Sequence, residues 1–340
     1  MQSYRLSSSG AGLAGLRSTR EEVPSPGPGE VLVAVRAAAL NHRDQLVLDG
    51  DYVLPVRADG IPLAEGVGVV AEVGPGAGSG PAVGSRVVPA VFPRWRDGPF
   101  ALDVADQLGG SLDGMLAEYR VLPGDALVEV PGFLTDAEAA SLACAGVTAW
   151  NALTGGRGVR AGETVLTLGT GGVSLWAVQL AAAMGAKVVA TTGDDAKAEL
   201  LTRLGAAVVV NYRTAPDWPA AVREATGGRG ADHVVEVAGT LAASVAATAF
   251  GGQVDVVGFM GTPAPVDPSA LFTGGVTLRP VALGSRSHLV GLVRAVATHR
   301  LRPVVDRVFP FDRAPEAFAH HRAGGAVGKV VVSVATTGGR

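Results

Sequence analysis

One seven-residue turn constrains this chain more than any other feature. The stretch LGTGGVS at 168–174 directly follows an apolar run over 164–168 and opens an amphipathic helix predicted over 173–184. Its glycines permit a tight turn and let the backbone approach a pyrophosphate. The helix start adds unpaired N–H groups and a positive dipole end. The third glycine of the G-x-G-x-x-G pattern is replaced by Ser174, a side chain small enough to keep helix and strand close. A glycine turn alone is a weak signal. Between a strand and a helix it predicts a dinucleotide site at Gly169, Thr170, Gly171, Gly172, Val173 and Ser174, rather than a purely structural turn.

The surroundings of the turn extend that reading. A capping Thr135 opens helical sequence running to residue 153. Strands are predicted at 164–168, 187–192, 207–210, 232–237, 253–258 and 276–283, with helices at 173–184, 196–204, 218–226 and 241–249 between them. Short β-branched runs alternating with helices imply a parallel, doubly wound sheet, so the fold class is α/β. Residues 1–125 read differently. Their short apolar runs, broken by Gly and Pro, suggest a compact β-rich domain. Residues 92–112 form an irregular insertion, either a cover over a cleft or a surface loop. Beyond residue 285 a helix over 289–297 and strands near 304–308 and 329–334 are expected.

Composition excludes several classes. The chain has 340 residues, enough for two domains, with 48% hydrophobic and 17% charged residues. Its 48 glycines show no three-residue period, so a collagen-like chain is excluded. Net charge is −3 without a basic run, which predicts neither nucleic-acid nor membrane partners. No apolar core of a signal peptide and no spanning run is visible, so a soluble, cytoplasmic protein is expected. Cys144 is the single cysteine, and no intrachain disulfide can form.

The second strand bears on cofactor choice. An NAD site usually places a carboxylate about 20 residues beyond the glycines, for the ribose hydroxyls. Here that strand ends in Thr191-Thr192-Gly193, and Asp194 and Asp195 follow where they suit a helix cap. Lys197, and Tyr212 with Arg213, supply cations and a phenol suited to a 2′-phosphate, although both cations are equally readable as solvated charges.

At this point the chain resembles the medium-chain dehydrogenase/reductase superfamily, most nearly its zinc-free, quinone oxidoreductase-like branch. The markers run nearly end to end: ALNHRD at 39–44, PLAEGVGVVAEVG at 62–74, VGSRV at 83–87, CAGVTAWNAL at 144–153, GTGGVS at 169–174, NYR at 211–213 and GKVVV at 328–332. The resemblance implies a GroES-like β-rich catalytic domain from 1–125 and 285–340, and a Rossmann domain over 126–284. It implies NADPH rather than NADH, held by the glycine turn, Thr192, Lys197 and Tyr212. Thr148, Gly258, Phe259 and Arg286 would face the nicotinamide end, and Asn41 and Tyr52 the active-site floor. Homodimerisation through the 276–283 strand is also implied. Two departures stand out: residues 236–244 are about two residues shorter than the relatives' turn, and Glu65 stands where relatives often have Asp.

No metal is expected. ALNHRD offers no thiolate, and Cys144 by itself cannot build a thiolate-rich zinc site. His42 with Glu65 is a minor metal-binding alternative, and His320-His321 reads as a surface pair at a helix end. Without a Lewis acid, alcohol oxidation is disfavoured. Hydride addition to a small-molecule enone or quinone is favoured. Asn41, Tyr52, Arg43 or Arg286 would stabilise the resulting oxyanion, and Tyr52 or water would supply the proton. The alternatives are a metal-free ketone/alcohol dehydrogenase, a biosynthetic tailoring reductase and an NADPH-binding protein with little turnover.

Overall fold

A computed structural model describes residues 1–7, 10–76, 80–258 and 265–334. Two compact units emerge, Met1–Ala145 with Ser285–Arg340, and Gly146–Gly284. The boundary expected at 125/126 therefore lies at 145/146. Thr135 does cap a helix, Asp136–Ala139, but that helix packs on strands Glu30–Ala39, Glu65–Val73 and Lys329–Ser333 of the first unit. Packing, not the change in sequence pattern, decides where segment 126–145 belongs.

The second unit is a six-stranded parallel sheet. Its order is Ala206–Asn211, Lys187–Thr192, Thr164–Leu168, Ala231–Glu236, Thr248–Val256 and Thr277–Pro280. The first strand in sequence is central and the order reverses beside it, the doubly wound arrangement that binds ligands at the strands' carboxyl ends. Strands buried on both faces need continuous apolar sequence, and Leu166, Val189, Val234 and Val254 form the core. The helix after the glycine turn, Gly172–Ala183, is not the amphipathic helix expected, since every residue from Ser174 to Ala181 is buried. The helix expected to reach 249 stops at Ala247, and the next strand begins at Thr248, well before 253. A register shift absorbs the difference: Ala231 pairs with Thr248, but His233 pairs with Gln253. The final strand is only Thr277–Pro280, and Leu283, expected within it, turns to a φ of 52°.

The first unit carries a seven-stranded sheet. Its order is Val305–Pro310, Lys329–Ser333, Glu30–Ala39, Glu65–Val73, Arg86–Pro89 and Leu127–Glu129, with Tyr119–Pro123 also paired to Glu30–Ala39. Glu30–Ala39 has three neighbours, which explains its almost unbroken apolar sequence. On the adjacent strand a Cβ at position 68 would stand 2.4 Å from Val33 Cγ1, so only glycine lets these backbones approach. The C-terminal strand pairs antiparallel with Ala37–Ala39 and brings Lys329 to the base of this sheet.

The 92–112 segment is irregular, yet it is not a loose surface loop. Phe92, Trp95 and Phe100 pack edge to face with centroids 5.1–6.1 Å apart. Gln107 and Leu108 are buried as well.

Candidate active site and cofactor site

The candidate catalytic residues of the first unit lie in a row of buried charges. Asn41 precedes the helix His42–Asp49, and its backbone N–H donates to Asp44 Oδ2 at 2.8 Å. Its side-chain amide is committed at both ends. Nδ2 donates to Glu65 Oε1 at 2.9 Å, and Oδ1 accepts from Lys329 Nζ at 2.6 Å. The same ammonium donates to Leu40 O at 2.5 Å and Glu65 Oε1 at 2.7 Å. The other Glu65 oxygen accepts the Cys144 N–H at 2.6 Å. Glu65 and Lys329 are only 0% and 3% exposed, so each charge depends on the other for compensation.

Arg43 continues the row. It donates through Nη1 to Asp44 Oδ1 at 3.2 Å, through Nε to the Tyr52 hydroxyl at 3.2 Å, and through Nη2 to Gln107 Oε1 at 2.9 Å. The guanidinium carbon also lies 4.6 Å from the Tyr52 ring centroid, within cation–π range. The Tyr52 hydroxyl donates to Gln107 Oε1 at 2.9 Å. Burial pushes the Asp44 carboxyl above its ordinary range, opposed by Arg43. Burial also pushes the Cys144 thiol upward, and the Glu65 carboxylate adds to that shift. His42 is exposed and Glu65 is fully engaged, so these two residues do not form a ligand pair. Among the described residues, no three His, Cys, Asp or Glu side chains gather as metal ligands.

The glycine turn of the second unit has the form a pyrophosphate needs. Gly169 sits at a φ of 74°, and a Cβ at 169 or 171 would meet nothing within 4 Å. No side chain caps the helix Gly172–Ala183, which leaves its first N–H groups without that competitor. Thr170 and Val173 belong to the same turn. Ser174 Oγ donates to Leu168 O at 2.7 Å, which explains how serine replaces the third glycine. Gly258 is also constrained, since a Cβ there would stand 2.4 Å from Val237 O.

Thr192 ends the second strand and is buried. Its hydroxyl bonds the backbone O and N of Asp194, both at 3.2 Å. Asp194 accepts from Ala196 N, as its capping role required, and Asp195 accepts from Asn211 Nδ2 at 2.7 Å. Both acids are therefore already engaged. Tyr212 lies against Gly193, where a Cβ would stand 2.4 Å from the phenol oxygen. Among the described residues, the Lys197 and Arg213 side chains form no ion pair. Thr148 is buried in the helix Val147–Thr154. Arg286 belongs to the first unit, where Nη2 donates to Leu127 O at 3.2 Å, so this side chain holds its own helix start in place. Phe259 lies outside the described residues.

Three contributors escaped the sequence reading. Lys329 had a faint signal, a lone cation in an apolar run. Glu236 had a positional one, at the carboxyl end of a parallel strand. It accepts the N–H groups of Ala238, Gly239 and Thr240 at 2.7–3.2 Å, together with the Thr240 and Ser244 hydroxyls, and so shapes the following turn. Gln107, within an irregular loop, had none.

Comparison with known proteins places this architecture. Residues 27–132 match the family described as alcohol dehydrogenase GroES-like domain, and residues 172–298 match zinc-binding dehydrogenase. A zinc-type alcohol dehydrogenase-like protein of Schizosaccharomyces pombe is 38% identical over 95% of this chain and 96% of its own length. The chain belongs to the medium-chain dehydrogenase/reductase superfamily. It is thus an oxidoreductase built from a GroES-like and a Rossmann domain. A chloroplast envelope quinone oxidoreductase homolog of Arabidopsis thaliana is 32% identical, covering 98% of both chains. A solved NAD-dependent alcohol dehydrogenase superposes with a TM-score of 0.90 at 35% identity, over 98% of this chain and 100% of the other. A mycobacterial protein solved with NADPH gives 0.80 at 30% identity, over 98% and 99%. Among the described residues, no helix is long and apolar enough to cross a membrane.

Proposed function

We propose that this oxidoreductase uses NADPH to reduce an activated enone, quinone or related carbonyl compound, and that it does so without zinc. The observation that carries the metal-free reading is the engagement of Glu65. Both oxygens are occupied, by Lys329, Asn41 and the Cys144 N–H, and Lys329 already supplies the compensating cation. The adjacent thiol is held protonated by burial. A zinc ion needs several deprotonated ligands around one point, and these residues do not fit it.

The preference for NADPH draws support from Lys197, Arg213 and Tyr212 near the ends of the second and third strands, and from the prior engagement of Asp194 and Asp195. The bound cofactor supplies hydride to the electrophilic carbon. The protein's part is to orient the acceptor and hold positive potential near the oxygen that gains charge. Arg43 and Tyr52 serve that part. Asn41, with its amide turned inward at both ends, serves as a structural tie. A proton from water or Tyr52 completes the reduced product.

The alcohol dehydrogenases among the relatives favour a second reading, reduction of C=O in place of C=C. Product analysis with one enone separates the two, as a saturated ketone supports the first and an allylic alcohol the second. A Tyr52→Phe variant that keeps the full rate would remove Tyr52 from the mechanism. Pairing of two copies along 276–283 is part of the proposal. Thr277–Pro280 ends the described sheet order, and Phe250 and Phe272 on the same unit are 84% and 89% exposed. Light scattering on the purified chain tests it, and a monomer would refute it.

A further inference from the structure

We propose that Asn211 is a positioning residue that tilts cofactor choice toward NADPH, by holding the Asp195 carboxylate away from a 2′-phosphate. The proposal rests on the NADPH reading above. All of its parts belong to the unit Gly146–Gly284. The short helical turn Asp195–Lys197 follows the second strand and carries an acid and a cation two residues apart. Tyr212 and Arg213 follow the adjacent strand Ala206–Asn211, in which Asn211 pairs with Thr192. The Tyr212 N–H donates to Thr192 O at 3.0 Å, so the two strand ends stay together.

Charge makes a free Asp195 a problem for a phosphate. Lys197 and Arg213 are the cations of this cluster, and Asp194 and Asp195 balance them. A carboxylate beside an incoming phosphate opposes it by like-charge repulsion. Asp194 is spent as a cap, since its Oδ1 accepts the Ala196 N–H at 3.0 Å. Position 193 adds no acid, because the Tyr212 phenol oxygen would stand 2.4 Å from a Cβ there. Asp195 is the acid left to restrain.

Asn211 does so with a bond from Nδ2 to Asp195 Oδ1 at 2.7 Å. The other end of the amide fixes its orientation. Asn211 Oδ1 accepts the Arg213 N–H at 2.9 Å, a bond that only the oxygen can make, so Nδ2 must face Asp195. The Ala215 N–H donates to Asn211 O at 2.8 Å and closes the turn that carries Tyr212 and Arg213. One residue thus holds the acid on one side and the phosphate-binding turn on the other. Release of Asp195 has two consequences. The freed carboxylate repels a 2′-phosphate, and it becomes an acceptor for the ribose hydroxyls of the unphosphorylated cofactor. Both lower the preference for NADPH.

Calorimetric titration of the full chain with adenosine 2′,5′-bisphosphate and with 5′-AMP reads this half of the cofactor without turnover. The preference for the bisphosphate falls about 10-fold in Asn211→Ala, the scale of a unit charge against a dianion a few ångströms away in water. Asp195→Ala keeps or raises the parental preference, and the double variant recovers it. An Asn211 needed only for the turn gives the same loss with and without Asp195, and that result would overturn the proposal. A parental preference in Asn211→Ala would overturn it too. Should Asn211→Ala not fold, Asn211→Ser, which keeps an oxygen for the Arg213 N–H and withdraws the amide donor from Asp195, is read through the same cycle.

A parent chain that binds 5′-AMP as tightly as the bisphosphate retires the NADPH reading. The role of Asn211 then stands if Asn211→Ala still shifts the ratio through Asp195, and falls if the ratio is unmoved.

Discussion

Replacing Lys329 with methionine removes the cation bonded to Glu65. Three donated hydrogen bonds disappear, to Leu40 O, Asn41 Oδ1 and Glu65 Oε1. Glu65 remains fully buried, with only Asn41 Nδ2 and the Cys144 N–H to satisfy it. Breaking a buried pair from one side costs roughly 3–5 kcal/mol, because the other charge is left uncompensated. Urea unfolding followed by hydrogen exchange on peptides covering 30–39, 65–73 and 329–333 reports this unit separately. Adding Glu65→Gln to Lys329→Met should recover much of the loss. A cost below about 1 kcal/mol, the range of exposed pairs, or a double variant no more stable than the single one, would refute the reasoning.

Other outcomes follow from the same contacts. Lys197→Ala should raise the KM for NADPH by roughly 10-fold or more and leave that for NADH nearly unchanged, since a charge-assisted hydrogen bond to phosphate contributes roughly 1.5–3 kcal/mol. Equal changes for both cofactors would count against a 2′-phosphate contact. Burial, with Lys329 adding to it, holds the His321 imidazole down at about 4. The unfolded chain, with an imidazole pKa near ~6.5, binds more protons between these values, so stability falls as pH drops through that window. His321→Gln should flatten that part of the thermal-stability profile. The Arg5 side-chain hydrogen bond holds the Glu21 carboxyl down at about 2, so its contribution is present above about pH 4.3 and lost toward 2. Arg5→Ala should remove that acid-limb dependence.

The parts legible in the sequence were those governed by local pattern. The glycine turn, its flanking strand and helix, and the alternation behind them reflect short-range rules, and the sheet order 3-2-1-4-5-6 follows them. Thr135 and Asp194 were readable as caps because capping reaches only three residues. The missed features are long-range. Lys329 meets Glu65 across 264 residues, and Arg43 meets Gln107 across 64, so no spacing rule joins them. Asn41 was expected to face the substrate, and nothing local shows that both ends of its amide bond Glu65 and Lys329. The 145/146 boundary was hidden for the same reason: segment 126–145 has helical sequence and packs on the β-rich unit.

Metal dependence is the most direct test of the account. The chain is dialysed against a strong chelator, its zinc content is measured by mass spectrometry, and NADPH oxidation is followed across enones and quinones. The account predicts undiminished turnover with zinc far below one atom per chain, and no gain when zinc is returned. Loss of turnover on chelation, restored by stoichiometric zinc, would contradict it.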